Sequence, residues 1–368
     1  MAPNILFLII YLNLSMRNNK IFSELILKWY KTNKRNLPWR KTKDPYKIWV
    51  SEIILQQTQI SQGTKYYFNF IKKFPNLKAL AQSSEKQVLK IWEGLGYYSR
   101  AINMLKNAKL LIEKDKGFPN KYIELIKLKG VGEYTASAIS SICKNEKKAV
   151  LDGNVFRVIS RVFNIAEPIN KNSGKKKFQQ IVYKLLPEKK IGDYNQALMD
   201  FGSIHCTIKQ PKCAVCPIQN MCKSFELQNI NLRPVKIKKQ NLKKTRLLNY
   251  FIVIFNNQLY IKKRSKNDIW KNLYEPPLIE SQKMITKKIF KDSFSQSFKK
   301  IILNKFKLSK KISHTLSHQN LEINFWTVNV LNLEEKKENK LLKIDIESVL
   351  EYPFPKPILK YLNEYFIT

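Results

Sequence analysis

Two carboxylates, one glycine turn and a knot of cysteines are the parts of this chain whose types and spacing could do chemistry. Glu52 stands in the run Trp49-Val50-Ser51-Glu52-Ile53-Ile54-Leu55, an acid among apolar neighbours. Two readings are open for it. It is either an exposed first-turn glutamate favoured by a helix dipole, or a carboxylic acid with a raised pKa that can donate a proton. Asp152, in Leu151-Asp152-Gly153-Asn154-Val155, follows Gly132 by twenty residues. Taken alone, Asp-Gly is an ordinary turn dipeptide.

Leu128-Lys129-Gly130-Val131-Gly132-Glu133-Tyr134-Thr135-Ala136 joins two apolar-periodic segments, Tyr122 to Lys127 and Tyr134 to Cys143. Both are expected to be helices, with a tight Gly-Val-Gly turn between them. The two glycines let the backbone take positive φ and approach a partner closely. The N–H groups opening the second helix then point at an anion such as a DNA phosphate. A glycine-capped helix connection is the plainer alternative.

Cys206, Cys213, Cys216 and Cys222 are spaced C-x6-C-x2-C-x5-C within seventeen residues. Four thiolates in one short loop can enclose one compact centre, either zinc or an iron-sulfur cluster. Only the middle pair has the C-x2-C form of a zinc knuckle, which favours the cluster. Cys143, alone on a helix, is expected to be a small buried hydrophobe.

Four further residues suit nucleic acid. Gln56 and Gln57 both donate and accept, and so suit base edges or a wedge into a base stack. In Gly94-Leu95-Gly96-Tyr97-Tyr98-Ser99-Arg100, Tyr97 could intercalate and Arg100 could meet a phosphate, while Tyr98 is expected in the core.

The totals are compatible with this. Lys plus Arg 67 against Asp plus Glu 28 gives a net charge of +39, a field that favours polyanions. The excess is mostly lysine beside abundant Asn and Ile, so part of it reflects AT-biased coding. Five cysteines in 368 residues exclude a disulfide scaffold and point to a reducing compartment.

The elements that must carry these residues are mostly helical in the first part of the chain. Helices are expected over Ile21 to Lys31, Trp49 to Phe70, Leu77 to Trp92 (one or a pair), from the Gly94 turn through Lys109, Phe178 to Leu186 and Asn195 to Gly202. Residues 1–16 contain an apolar run, Ile5 to Leu14, too short to span a bilayer. They are expected to be a floppy non-functional leader or the product of an upstream start. From Leu227 to Arg246 there are seven basic residues and no acidic one, which reads as a linker. Beyond it the periodicity changes, with strands expected over Asn249 to Phe255, Gln258 to Lys263, Lys311 to Ser317 and Leu321 to Val330. Helices are expected near Lys283 to Phe298 and Pro357 to Phe366.

Seven separated motifs resemble those of the adenine DNA glycosylase family within the helix-hairpin-helix superfamily. They are Leu37-Pro38-Trp39-Arg40, Ser51-Glu52 with Leu55-Gln56-Gln57-Thr58-Gln59, Gly94-Leu95-Gly96-Tyr97-Tyr98, Gly130-Val131-Gly132, Leu151-Asp152-Gly153-Asn154-Val155, Asn195-Gln196-Ala197 and the four cysteines. The resemblance implies a multidomain chain: an all-α helix-hairpin-helix glycosylase domain with an iron-sulfur cluster loop, then an α+β Nudix-like domain. The expected boundaries are leader 1–16, glycosylase domain 17–226 with cluster loop 206–222, linker 227–247 and Nudix-like domain 248–368. It implies a 4Fe-4S cluster on Cys206, Cys213, Cys216 and Cys222. It also implies a cytoplasmic monomer that acts on double-stranded DNA holding adenine opposite 8-oxoguanine or guanine, with no membrane partner.

The same resemblance assigns roles. Glu52 protonates the extruded adenine at N7; Asp152 stabilises or traps the sugar cation; Tyr134 and Asn154 orient Asp152 and water; Arg40 and Gln196 line the adenine pocket. Gln56, Gln57, Tyr97 and the hairpin Gly130, Val131 and Gly132 contact DNA. The sibling endonuclease III family's bifunctional members carry a lysine nucleophile two residues after the second hairpin glycine, where this chain has Tyr134. Base removal without strand cleavage is therefore expected. In the last domain, Ile269 to Pro277 and His314 to His318 resemble the module that inspects 8-oxoguanine, with Leu316, Ser317 and His318 as lesion contacts. The family usually has Phe at the Leu316 position, so a stacking ring is missing. No Nudix hydrolase box is found in the sequence, and nucleotide hydrolysis is not expected.

Overall fold

The computed structural model describes residues 3–237, 243–265, 268–282, 285–295, 297–336 and 341–366. The centre of the expected linker, 238–242, lies outside them. Two compact units are present: Met1–Gln82 with Lys106–Lys238, and Ser83–Leu105 with Lys239–Thr368.

The first helix, α1 (Pro3–Asn33), runs through the expected leader. No glycine or proline interrupts positions 4–33, so nothing in the chain stops the helix. Among the described residues no helix is long and apolar enough to cross a membrane. Helix α2 (Pro45–Leu55) begins where Asp44 accepts the Tyr46 N–H at 2.9 Å and Pro45 supplies a pre-set first residue. It ends where Gln57 takes a left-handed φ of 58°, and α3 (Ile60–Lys73) follows. The helical pattern read over Trp49 to Phe70 is thus two helices with the glutamines in the break.

Next come α4 (Leu77–Ala81), α5 (Glu85–Ile91) with a Ser84–Gln87 capping box, and α6 (Ser99–Glu113). The hairpin helices are α7 (Tyr122–Leu125) and α8 (Glu133–Lys144). Then α9 (Gly153–Val162), α10 (Asn172–Lys184) and α11 (Ile191–Asp200) lead through a π turn, Phe201–His205, into the cysteines and the short α12 (Lys223–Glu226). One core of this unit gathers Phe22 and Ile26 of α1, Val155 and Val158 of α9, Phe178 of α10 and Tyr194 of α11. Helix α8 packs against both α2 and α11, and so links the two carboxylate-bearing regions.

The second unit contains a mixed sheet of β1 (Lys244–Phe255), β2 (Gln258–Lys263), β3 (Tyr274–Glu275), β4 (Leu278–Glu280), β5 (Phe298–Thr315), β6 (Gln319–Glu335) and β7 (Leu342–Asp345). Its order is β3-β2-β1-β6-β5, with β4 on β1 and β7 on β2. Strands β1 and β6 are parallel, and β5 and β6 form a long antiparallel hairpin. Helix α14 (Lys356–Phe366) covers one apolar cluster, with Tyr361 stacked on Phe325 at 3.9 Å. A second cluster holds Phe290 and Phe294 at and just beyond α13 (Lys287–Ser293).

Several boundaries differ from expectation here: β1 starts at Lys244, inside the expected linker 227–247, and β6 extends past Val330 to Glu335. Strand β5 starts at Phe298, thirteen residues before the expected Lys311, because several register shifts break the period-two alternation that would reveal it. Helix α13 is correspondingly short. At the other end β5 stops at Thr315, leaving Leu316, Ser317 and His318 as the hairpin turn, closed by the Leu316 N–H on the Gln319 carbonyl at 2.9 Å.

Candidate active site

Glu52 is the eighth residue of α2, three before its end. That position excludes the first-turn reading: near a C-terminus the helix dipole disfavours a carboxylate. Its neighbours Ser51, Ile53 and Ile54 are buried, while Glu52 itself lines a solvent-open cavity of about 530 Å³. Arg35, Leu37, Trp39, Arg40, Tyr134 and Asp152 share that wall. Burial pushes the Glu52 carboxyl up to about 7; the Asp152 charge adds to this, and a hydrogen bond from Tyr134 and the Arg40 charge oppose it.

Tyr134, second residue of α8, also has its hydroxyl 3.3 Å from the Met199 sulfur. Burial, and then the negative charges of Glu52 and Asp152, hold that hydroxyl neutral, well above its ordinary range. A hydroxyl carries one hydrogen, so the two partners compete. When Glu52 is ionised the Tyr134 hydrogen serves it; when Glu52 is protonated the tyrosine oxygen can accept and its hydrogen can turn to Met199.

Asp152 is the N-cap of α9. Oδ1 accepts the Val155 N–H at 2.7 Å and Oδ2 accepts the Asn154 amide at 2.9 Å. Burial raises its pKa, countered by those two donors and by Arg157. Arg157 fixes which way Asn154 points, donating to the Asn154 oxygen at 2.8 Å so that the amide nitrogen faces Asp152. The same guanidinium donates to the carbonyls of Gly202 and Cys206. Gly202 allows this approach, since a Cβ there would lie 2.7 Å from the Asn154 Cβ.

Gln56 and Gln57 line an adjoining cavity with Glu52, Tyr134, Leu151 and Asp152. Gln56 donates to Thr135 Oγ1 at 3.3 Å, and Gln57 is exposed. Gln196 is half-buried on α11, donates to the Gly192 carbonyl, and is not among the residues lining either cavity. Neighbouring Asn195 is buried and binds Ser141, the Lys148 carbonyl and the Val150 N–H, tying α8 and α11 to the segment that leads into Asp152.

The hairpin turn departs from expectation at one glycine. Gly130 has φ +82°, but Gly132 is extended, φ −95°, and caps α8 with no side-chain hydrogen bond to the first-turn N–H groups. Val131 is buried and anchors the turn. Buried Asn107 holds the Lys129 backbone at both its N–H (3.0 Å) and its carbonyl (2.9 Å), just ahead of the turn.

Comparison with known proteins places this geometry. Residues 50–188 match the HhH-GPD superfamily of base excision DNA repair proteins, and residues 249–364 match the NUDIX domain. An adenine DNA glycosylase of Buchnera aphidicola subsp. Schizaphis graminum is 36% identical over 351 residues, 93% of this chain and 98% of that protein. The chain belongs to the adenine DNA glycosylase family. A thermostable thymine-DNA glycosylase structure is similar at 30% identity and TM-score 0.53, over 57% of this chain and 98% of that one. An endonuclease III in a non-covalent DNA complex, at 19% identity and TM-score 0.50 over 58% of this chain and 97% of that one, shares the fold.

This DNA glycosylase also has its four loop cysteines, Cys206, Cys213, Cys216 and Cys222, on one small apolar cavity of about 30 Å³, lined too by Val158, Phe201 and Ile218. Among the described residues no three His, Cys, Asp or Glu side chains are close enough to hold a single metal ion. Four thiols lining one void suit a sulfur-bound centre, zinc or an iron-sulfur cluster. Buried His205 lines the same cavity with its Nε2 unpartnered. Arg161, buried one turn after Arg157, donates to the Cys206 sulfur at 3.4 Å and to the carbonyls of Thr207 and Ile208. Burial raises the thiols of Cys213 and Cys222, and that of Cys216 to about 12. Cys143 is half-buried at the end of α8.

The remaining expected contacts of the glycosylase lie in the second unit. Tyr97 is 49% exposed, with φ +47°, between Gly96 and Tyr98. Arg100 packs over the Trp92 and Tyr97 rings and donates to the Gly96 carbonyl, so it braces the turn; Tyr98 is buried. Ser317 and His318 are exposed at the β5–β6 turn, joined by a 3.2 Å contact between Ser317 Oγ and His318 Nδ1, while Leu316 packs half-buried on the α14 side.

Arg157, Gly202, Asn107 and Asp200 were not expected from the sequence. Their partners lie tens of residues away, and only Gly202, a glycine next to the Asn195 motif, carried any local signal.

Proposed function

We propose that this DNA glycosylase is monofunctional and hydrolyses the N-glycosidic bond of adenine paired with 8-oxoguanine or guanine in duplex DNA. The observation that carries this is the pair of unlike carboxyls on one cavity: one raised to about 7 beside a neutral tyrosine, the other capped by a backbone N–H and an amide.

Adenine must leave the base stack to be reached, and Gln56 and Gln57, beside the carboxylates, are suited to filling the space it vacates; Tyr97 is an exposed ring suited to DNA. The first-turn N–H groups of α8 behind Gly130, Val131 and Gly132 would take a backbone phosphate. Protonated Glu52 gives its proton to adenine N7 while Arg40, on the same wall, binds the base; Gln196, which lines neither cavity, takes no part. The C1′–N9 bond then breaks and its electron pair leaves with adenine. Asp152, held by Asn154 and the Val155 N–H, meets the cationic sugar electrostatically or as a covalent ester. Water adds to C1′ and its proton passes to a carboxylate, leaving an abasic site.

Among the described residues no lysine lines either cavity that holds Glu52 and Asp152, and Tyr134 supplies no amine for a Schiff base. That supports hydrolysis without strand cleavage. A 4Fe-4S cluster bound by Cys206, Cys213, Cys216 and Cys222 would cross-link the loop and fill its void. Leu316, Ser317 and His318 would contact the base opposite adenine.

The test is a single-turnover assay on labelled duplexes with adenine opposite 8-oxoguanine, guanine or thymine, each sample split and half treated with hot alkali. Breaks only after alkali, faster opposite 8-oxoguanine and guanine than opposite thymine, are expected. Breaks without alkali would overturn the monofunctional reading, and equal rates opposite thymine would overturn the mispair specificity.

A further inference from the structure

Asp200 ends α11 with its carboxylate fully buried, and that carboxylate is saturated by two arginines. It accepts from the Arg35 N–H (3.1 Å), Arg35 Nε (2.7 Å) and both terminal nitrogens of Arg40, the second at 2.7 Å. Arg40 also donates to the Arg35 carbonyl, and Arg35 reaches Ser203 Oγ at 3.3 Å. Arg35, Arg40 and Ser203 line the cavity of Glu52 and Asp152, so the buried aspartate forms the back of that wall.

The trio carries one net positive charge. Without Asp200 it would carry two, at the edge of a partly desolvated site where charges are poorly screened. The charged and titratable groups that act on Glu52 are Tyr134 from α8, Asp152 ahead of α9 and Arg40 from the segment before α2. Of these Arg40 is the only cation, and it pulls Glu52 toward its ionised form. A carboxylate 2.7 Å from the guanidinium turns what Glu52 faces from a bare cation into an ion pair. The bidentate geometry also leaves Arg40 little freedom to leave the wall.

We propose that Asp200 is a positioning residue for adenine removal: by binding Arg35 and Arg40 it holds the Arg40 fork in the cavity and cancels the charge that would otherwise ionise Glu52. This rests on Glu52 being the proton donor. It predicts opposite effects from two substitutions that both disrupt the ion pair between the Arg35 side chain and Asp200. Asp200→Asn raises the trio's charge to two and favours ionised Glu52. Arg35→Gln lowers it to zero and favours the protonated acid.

The experiment reads Glu52 directly, in the free protein, from the pH dependence of its carboxyl infrared band, assigned by its loss in Glu52→Gln. Relative to the unsubstituted protein, the Glu52 midpoint is expected to fall by roughly one pH unit in Asp200→Asn and to rise by a smaller amount in Arg35→Gln. In single-turnover assays the fall in base removal at high pH should move with it. Asp200→Asn would then lose most at pH 8 and lie within a few-fold of the unsubstituted rate at pH 5.5. Unmoved midpoints, or shifts of the same sign, would overturn the proposal, and uniform loss of rate at all pH would mark Asp200 as merely structural. If Asp200→Asn does not fold, the upward shift in Arg35→Gln decides the matter. Infrared shifts as expected with no adenine released by the unsubstituted protein would uphold the electrostatic coupling and remove the proposed reaction instead.

Discussion

Two cavities of the first unit, that of Glu52 and Asp152 and that of the loop cysteines, are built on the same helix and use burial in opposite ways. At the start of α9, Asp152 caps the helix and faces an open, polar cavity; one and two turns on, Arg157 and Arg161 reach toward the cysteine void. In the open cavity, burial moves one carboxyl to about 7, where it can both hold and release a proton near neutrality. In the closed one, burial moves a thiol to about 12, where it is inert unless a cation takes the proton's place. Burial raises both groups, but only the carboxyl lines a large, polar, solvent-open cavity. Arg157 touches both regions, binding Asn154 on one side and the Cys206 carbonyl on the other.

The largest effects should separate the cavities outright. Asp152→Asn and Glu52→Gln are expected to abolish base removal by several orders of magnitude while mismatch binding, measured by gel shift, persists. Turnover like that of the unsubstituted protein in either variant would remove the assigned role. Next in size is pH. With Glu52 as acid at about 7, the single-turnover rate should be flat just below that value and fall about tenfold per unit well above it. The sign for stability follows from the same shift: a folded-state pKa above the unfolded one favours the protonated form, so stability is lost as pH rises toward 7. Glu52→Gln should therefore raise the unfolding free energy by about 2 kcal/mol at pH 8 and by nothing at pH 4, in urea melts at the two values.

Cys222→Ser tests the closed cavity. It should bleach the visible absorbance and lower the melting temperature by about 10 °C, since the void then has no group to fill and cross-link it. An unchanged spectrum and melting curve would leave the thiols without a ligand. The smallest change tests the wall between the cavities. Gly202→Ala forces a methyl against Asn154, at an expected cost of about 1–3 kcal/mol in stability, with a several-fold loss of base removal as Asn154 turns from Asp152. Loss of stability without loss of rate would mean that Asn154 orients nothing.

Much of this site could be read from local sequence, and the parts that could not share a cause. Glu52 stood out because an acid in an apolar run is unusual, yet only the start of α2 at Pro45 decided that it sits at a helix's disfavoured end. The glycine turn was legible, but its positive φ is at Gly130 alone, with Gly132 extended. The π turn before the cysteines and the early start of β5 were hidden, because each breaks the regular period by which helices and strands announce themselves.

The sequence by itself determined the chemical groups and their local order: two carboxylates, a tyrosine two residues after the second hairpin glycine, four thiols in one loop and a helical region followed by strands. Tertiary structure alone decided which of them meet. Asp200 binds arginines some 160 residues earlier in the chain, Arg157 meets Gly202, and Asn107 holds Lys129. A side chain's type is written locally, but its pKa and orientation depend on what folding brings within a few ångströms, and no spacing in the chain records that distance.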